Sequence, residues 1–192
     1  VRVLFLSGVA LGNRRAEARR VPPPLPRHPP LQTVLIPAHN ESKVIAGAVH
    51  HILASDYPNL EVIVIDDGST DDTSGQVRVH YAEDPRVKLF TIANGGKAAA
   101  LNFGLRHARG QVVVALDADT HFEKDAISKL VRWFGDPAVG AVAGNAKVGN
   151  RINMITRWQA LEYVTSQNLE RRALAALGCI TVVPGAIGAW KR

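Results

Sequence analysis

The sequence predicts an α/β domain with a mostly parallel sheet and helices on both faces. Short apolar runs such as 62–65 and 112–116 alternate with segments whose apolar residues recur at helical spacing. Strands that are apolar throughout are buried on both faces, which is typical of parallel sheets. Four polar segments directly follow such runs. A parallel sheet gathers the segments that follow its strands along one edge, where ligands bind.

Strands and helices are predicted to alternate along residues 31–143. The predicted strands are 34–36, 62–65, 87–92, 112–116 and 139–143. The predicted helices carry apolar stripes at Val44, Ala48 and Ile52, within 71–81, at Leu101, Leu105 and Ala108 (closed by Gly110), and at Ile127, Leu130, Val131 and Phe134. Further on, we expect a long helix over 152–177, a strand over 180–183 and a loop at 184–186.

Charge divides the 192-residue chain into two predicted parts, 1–30 and 31–192. The first holds six of the 23 Lys and Arg residues and one of the 17 acids, and it ends in a Pro-rich linker at 21–30. The second part is therefore nearly neutral, which argues against a nucleic-acid partner. A basic segment near a membrane surface is the preferred interpretation of the first part.

The N-terminal residues leave a membrane question open. No stretch reaches the roughly 18–20 apolar residues that span a bilayer. Residues 3–11 are apolar and four arginines follow them, so 1–12 are interpreted either as the cytoplasmic end of a transmembrane helix, which is slightly favoured, or as a short N-terminal helix or tail. The single cysteine, Cys179, excludes an intrachain disulfide and favours a reducing compartment. The seven histidines lack the spacing of a zinc site.

Two carboxylates, Asp117 and Asp119, follow the predicted strand 112–116. Two carboxylates at a strand end can hold a hard divalent cation through oxygen, and such a cation can carry a phosphate-bearing substrate. A D-x-D pair alone is a weak signal. Its weight comes from the other segments at the same predicted edge, which begin at Pro37, Asp66 and Asn94.

Two of those segments have a structural and a functional interpretation. Asp66-Asp67-Gly68-Ser69 can form a turn and cap the next helix, or it can offer a carboxylate to a nucleobase N–H. Gly95-Gly96-Lys97 lacks the Walker pattern, because Thr91 and Ala98 stand at two of its required positions. Its glycines and the following helix N-terminus can still approach a diphosphate, or Lys97 is simply solvated.

In this order, IPAHNE, VIDDGSTD, GGKAAALN and ALDADT resemble the family-2 glycosyltransferases with the GT-A nucleotide-sugar fold, over about residues 31–192. The segments 167–172 and 183–192 resemble the processive membrane polysaccharide synthases, which make poly-N-acetylglucosamine, chitin, hyaluronan or cellulose. The poly-N-acetylglucosamine type is the most similar. The resemblance implies an inverting, metal-dependent transfer of a hexose or N-acetylhexosamine from a UDP-sugar to a growing polysaccharide. It also implies a location at the cytoplasmic face of the plasma membrane.

The resemblance implies roles for individual residues as well. The implied donor-site residues are Pro37, Ala38 and Glu41 along the nucleotide pocket, Asp67 at the uracil edge, Lys97 by the diphosphate, Asp117 at the donor sugar or ribose, and Asp119 on Mg²⁺ or Mn²⁺. Asp117 and Asp119 are the expected catalytic residues, and Gly185 to Trp190 are expected near the acceptor. The family's general base, an Asp in a Thr-Glu-Asp or similar motif, and its Gln-x-x-Arg-Trp motif do not occur, so the base is expected beyond Arg192.

Three alternatives stay open. The enzyme could transfer a single sugar to a lipid or protein. The isolated chain could bind UDP and metal without turnover, which we expect because the base motif is missing. The acidic segments could also be no more than helix caps and turns. The sequence does not identify the donor sugar.

Overall fold

A computed structural model describes residues 5–12, 21–120, 122–144, Met154, Trp158, 171–178 and 187–192. The chain divides into two compact units, Val1–Pro22 with Asn145–Val183, and Pro23–Gly144 with Pro184–Arg192. In the first unit, residues 5–12 form helix α1, and a later helix covers Arg171–Ala176. Every helix in the described part of the chain is too short or too polar to span a bilayer.

The second unit alternates strands and helices, as the sequence predicts. Its strands are β1 (Gln32–Ala38), β2 (Leu60–Asp67), β3 (Val87–Ile92), β4 (Val112–Leu116), β5 (Ala141–Ala143) and β6 (Ile187–Lys191). Its helices are α2 (Ile45–Leu53), α3 (Thr73–Tyr81), α4 (Lys97–His107) and α5 (Ala126–Val131), which continues as a 3-10 turn over Arg132–Gly135.

The six strands form one sheet in the order β3-β2-β1-β4-β6-β5. The first four of these are parallel to one another, and β6 runs antiparallel to β4 and β5. The prediction of a mostly parallel α/β sheet is therefore confirmed. The core lies along the central strands β1, β2 and β4, whose apolar residues are almost fully buried.

Helix α4 approaches the sheet through smaller residues than predicted. Ala100 and Gly104 face inward, whereas Leu105 is 44% exposed. A Cβ at position 104 would lie only 2.7 Å from Cδ1 of Ile65, so the helix approaches the sheet through its smallest residues. The predicted stripe is right for Ala108, which belongs to the core, and for Leu101, which packs against it, and it is wrong for Leu105. Close packing explains why Ala100 and Gly104, which are small, make the nearest approach.

Gly110 also has a different role from the predicted helix closure. The helix ends at His107, and Gly110 lies against the start of β1, where its N–H donates to Oγ1 of Thr33 at 2.8 Å. A Cβ at position 110 would come within 2.4 Å of the Thr33 nitrogen. Glycine is needed here because two backbone segments touch.

A buried carboxylate, Glu61, joins the amino ends of the strands. Its side chain is 2% exposed, and it accepts hydrogen bonds from Oγ1 of Thr33 at 2.7 Å, Nζ of Lys88 at 3.0 Å and the backbone N–H of Arg109 at 2.7 Å. The Arg109 guanidinium adds an ion pair at 2.9 Å. Burial alone would raise the pKa of Glu61, but these donors lower it to about 2.

The remaining differences concern the later part of the chain. Phe134 lies in the 3-10 segment that follows α5 rather than in the α-helix itself, and β5 is shorter than the predicted 139–143. Strand β6 follows the predicted loop and was not foreseen as a strand. Most of the predicted helix 152–177, the strand 180–183, the loop 184–186 and Cys179 lie outside the described residues.

Candidate active site

A cavity of about 260 Å³ lies at the carboxyl ends of β1, β2 and β4. Its walls come from the four predicted segments, each placed by the strand or helix beside it. The lining residues are Pro37, Ala38, His39, Glu41, Asp67, Lys97, Asp117, Ala118 and Asp119. The structure thus brings together all the donor-site residues that the sequence singled out.

The strand register explains this convergence. Ala38 at the end of β1 pairs with Asp66 near the end of β2, and Asp67 pairs with Ile92 at the end of β3. In this register, the loops that follow the parallel strands begin at the same level of the sheet. Strand β2 extends through both aspartates, so their side chains are held by regular sheet structure rather than by a free loop.

The two adjacent aspartates differ in what they bind. Asp66 accepts the Ser69 N–H at 2.9 Å and the Ser74 hydroxyl, so its carboxylate closes the turn before α3. Asp67 lines the cavity, and its Oδ1 accepts the Gly95 N–H at 2.8 Å. The turn interpretation therefore describes Asp66, and the carboxylate at the cavity belongs to Asp67.

The Gly-rich segment places a positive charge at the start of α4. Gly96 has a φ of 82°, a left-handed conformation that glycine adopts without strain, and Lys97 is the first residue of the helix. The Lys97 ammonium forms an ion pair with Asp117 across the cavity. This lysine is therefore held at the carboxylates that follow β4.

The cavity concentrates negative charge. Burial raises the pKa of Glu41, and the nearby charges of Asp119, Asp71 and Asp117 raise it further. Lys97 is the only cationic side chain among the residues that line the cavity. In the described part of the chain, no three Asp, Glu, His or Cys side chains converge so as to hold a metal ion by themselves.

Sequence reasoning missed two residues at this edge. His39 lines the cavity, and its Nδ1 lies 2.9 Å from the Asp67 carbonyl oxygen and 3.2 Å from Nδ2 of Asn94. Asn40 has a φ of 57°, an uncommon conformation for a residue other than glycine. Their position directly after β1 was the available signal, because the loop after each parallel strand borders the site.

The predicted acceptor region is only partly described. Gly185 lies outside the described residues. Trp190 lies in β6 opposite Val113, and the structure does not bring it to the cavity. Ile187, at the start of β6, pairs with Leu116, the residue before Asp117. Strand β6 therefore begins at the same edge of the sheet as the cavity.

Comparison with known proteins places this geometry in a family. The family described as Glycosyl transferase family 2 matches residues 33–186. A curated relative, poly-beta-1,6-N-acetyl-D-glucosamine synthase of Staphylococcus epidermidis, is 31% identical over 160 residues, which cover 82% of this chain and 39% of the relative. The chain spans about two fifths of the length of the curated relatives it matches.

The solved structures that are similar in both fold and sequence include two from different proteins. A mannosyltransferase from Pyrobaculum calidifontis, in complex with GDP-Man and Mn²⁺, has a TM-score of 0.68 and 29% identity, covering 99% of this chain and 55% of that one. Staphylococcus aureus TarS in complex with UDP-GlcNAc has a TM-score of 0.56 and 26% identity, covering 62% of this chain and 36% of that one.

Proposed function

Because the chain belongs to glycosyl transferase family 2 and has the GT-A fold of that family's solved structures, we propose that its cavity binds a UDP-sugar. The bound donor would serve an inverting, metal-dependent transfer to a growing polysaccharide. The observation that carries the proposal is the convergence of Asp67, Lys97, Asp117 and Asp119 on one cavity at the carboxyl ends of parallel strands.

Asp67 suits the nucleobase end of the donor. Its Oδ1 is held by the Gly95 N–H at 2.8 Å, and no other group of the described residues donates to this carboxylate. The second oxygen can therefore accept the N–H of a uracil ring. A fixed, nearly buried carboxylate discriminates well, because a base without that N–H would leave it unpaired.

Asp119, Asp117 and Glu41 suit the diphosphate end. Their carboxylate oxygens are ligands that Mg²⁺ and Mn²⁺ accept. Burial, and after it the neighbouring carboxylates, raise the pKa of Glu41, and a cation would relieve the repulsion among these groups. We assign the cation to Asp119, with further ligands from the diphosphate oxygens. A cation held by Asp119 would supply positive charge where negative charge develops on the leaving diphosphate.

Lys97 adds a second positive charge to the same end. It is the first residue of α4 and lines the cavity, so its ammonium and the N-terminal end of this helix border the same space. Both stabilise negative charge on the leaving group as the bond to the sugar breaks. Asp117, already paired with Lys97, is then positioned to accept a hydrogen bond from a hydroxyl of the ribose or the sugar.

The acceptor hydroxyl attacks the anomeric carbon as the diphosphate leaves, and its proton passes to a general base. The carboxylates of the cavity are assigned to the donor, so the proposed base is not among them. We therefore expect the 192-residue chain alone to bind donor without sustained polymer synthesis. In the whole protein, we place the reaction at the cytoplasmic face of the plasma membrane, with membrane attachment at residues 1–12 or outside this chain.

The relatives guide the identity of the donor. The name of the staphylococcal synthase supports UDP-N-acetylglucosamine as donor and a polysaccharide as product. The Pyrobaculum enzyme was solved with GDP-Man, so a GDP-sugar is the second candidate. The two candidates differ at the base, which Asp67 would contact.

Calorimetry on the purified chain tests the proposal. We expect UDP-N-acetylglucosamine to bind in the presence of Mn²⁺, GDP-mannose to bind more weakly, and Asp119→Asn to weaken UDP binding at least about tenfold. Glu123→Gln is the matched control, because this exposed carboxylate pairs with Lys129 and does not line the cavity. Stronger binding of GDP-mannose would replace the UDP-sugar assignment, and binding that ignores both Mn²⁺ and the Asp119 substitution would contradict the metal site.

A further inference from the structure

Hydrogen bonds join the loop after β1 to the loop after β2. Three successive backbone N–H groups, those of residues 40–42, each donate to a side chain within residues 69–73, which include the first residue of α3. Asn40 donates to Oγ of Ser69 at 2.9 Å, Glu41 donates to Oγ1 of Thr73 at 2.9 Å, and Ser42 donates to Oδ2 of Asp71 at 3.1 Å. We call residues 40–42 and 69–73, joined in this way, the loop latch.

The side chain of Asn40 accepts hydrogen bonds from the second loop. Its Oδ1 accepts the N–H of Thr70 at 2.8 Å and that of Asp71 at 3.4 Å, as well as the Thr70 hydroxyl at 3.2 Å. Its backbone φ of 57° is what lets one residue present its N–H and its side chain to the same loop. Asparagine tolerates this conformation better than most residues with a side chain.

Asp71 stabilises the second loop from within. Its carboxylate accepts the N–H of Thr73 at 3.0 Å and the Thr73 hydroxyl, besides the N–H of Ser42. The Thr73 hydroxyl is thus bound to Asp71 and also accepts from Glu41. The latch is therefore a continuous network made of this chain's own groups.

The latched loops carry two residues of the proposed donor site. Glu41 belongs to the first loop, and Asp67 lies immediately before the second. We propose that Asn40 is a positioning residue, which holds these two loops in the arrangement that binds nucleotide before the nucleotide arrives. The inference rests on the proposed function, since it assigns Asn40 a purpose in binding at that same cavity.

The physical argument is preorganisation. Loops that become ordered only on binding weaken affinity, because their conformational entropy is lost at that step. The latch bonds are mostly exposed, so each adds little to the stability of the fold. Loss of these bonds is expected to weaken nucleotide binding and to leave the melting temperature nearly unchanged.

The test measures UDP affinity with Mn²⁺ by calorimetry, melting temperature, and amide hydrogen exchange of residues 66–73 without nucleotide. Asn40→Gly keeps the left-handed backbone and removes the side chain, and Ser69→Ala removes one acceptor without altering Asn40. Asn40→Asp restores an oxygen acceptor. Gln76→Ala is the matched control, because the Gln76 side chain donates to Asp72, the residue before α3, which makes none of the hydrogen bonds between the two loops.

We expect Asn40→Gly to bind UDP about tenfold more weakly and Ser69→Ala about threefold more weakly. Both should exchange faster at residues 66–73, with the melting temperature nearly unchanged, while Asn40→Asp recovers most of the affinity and Gln76→Ala matches the parent. Parent-like affinity in both Asn40→Gly and Ser69→Ala would overturn the inference. Absence of UDP binding by the parent chain would instead overturn the proposed function, and with it the purpose assigned to Asn40.

Discussion

The Glu61 network predicts a stability that depends on pH. A folded pKa of about 2, below the ordinary value of 4.5, means that the ionised carboxylate is favoured by folding. The stabilisation is therefore fully present above about pH 4.5 and is lost as the pH falls towards 2. Glu61→Gln removes the charge and keeps the size of the side chain.

The magnitude follows from the same contacts. A pKa that falls from 4.5 to about 2 corresponds to about 3 kcal/mol of folding free energy. The partner side chains of Lys88 and Arg109 are 33% and 61% exposed, so solvent screens part of the interaction. We therefore expect Glu61→Gln to lower the free energy of unfolding by about 2 kcal/mol at pH 6.

Urea unfolding followed by circular dichroism measures the effect. The difference between the parent and Glu61→Gln should shrink by more than half between pH 6 and pH 3, because the parent carboxylate becomes protonated first in the unfolded state. Glu123→Gln serves as control, since its exposed ion pair with Lys129 should contribute little at either pH. A difference that stays the same at both pH values would refute the assignment of the stabilisation to the Glu61 charge.

Two further predictions concern packing and the diphosphate. Gly110→Ala should lower the free energy of unfolding in urea by about 2 kcal/mol, because its Cβ would meet the Thr33 nitrogen. Gly47→Ala has open space around its Cβ and should be neutral or slightly stabilising. Equal stability of the two variants would contradict the close contact at Gly110. Lys97→Met should weaken the binding of UDP about tenfold in calorimetry and leave the binding of uridine unchanged, because the ammonium beside Asp117 would face the phosphates. An equal loss of affinity for both ligands would contradict a contact between Lys97 and the diphosphate.

The sequence predicted the central part of the fold because burial on both faces leaves a simple signature. The runs that became β2 and β4 are apolar and β-branched, and the fold needs such residues where both faces are covered. The cavity was predictable for the same reason, since the loops of parallel strands must meet at one edge. Asp117 and Lys97 lie together there although 20 positions separate them.

Features that depend on contact between distant segments were not predictable. Residues 100 and 104 form the buried face of α4 because the helix lies close to Ile65, and periodicity alone cannot show that distance. Strand β6 needs β4 and β5 as partners from earlier in the chain. The conformation of Asn40 likewise depends on bonds to a loop about 30 residues away.

Strand β2 carries Glu61 at one end and Asp67 at the other, about 20 Å apart along the extended chain. Substitutions in groups this far apart, with no shared partners, usually add without interfering. A library that randomises the loops around the cavity can therefore keep the Glu61 network intact as its stability reserve. Donor preference could then be changed by directed evolution in a background that remains folded.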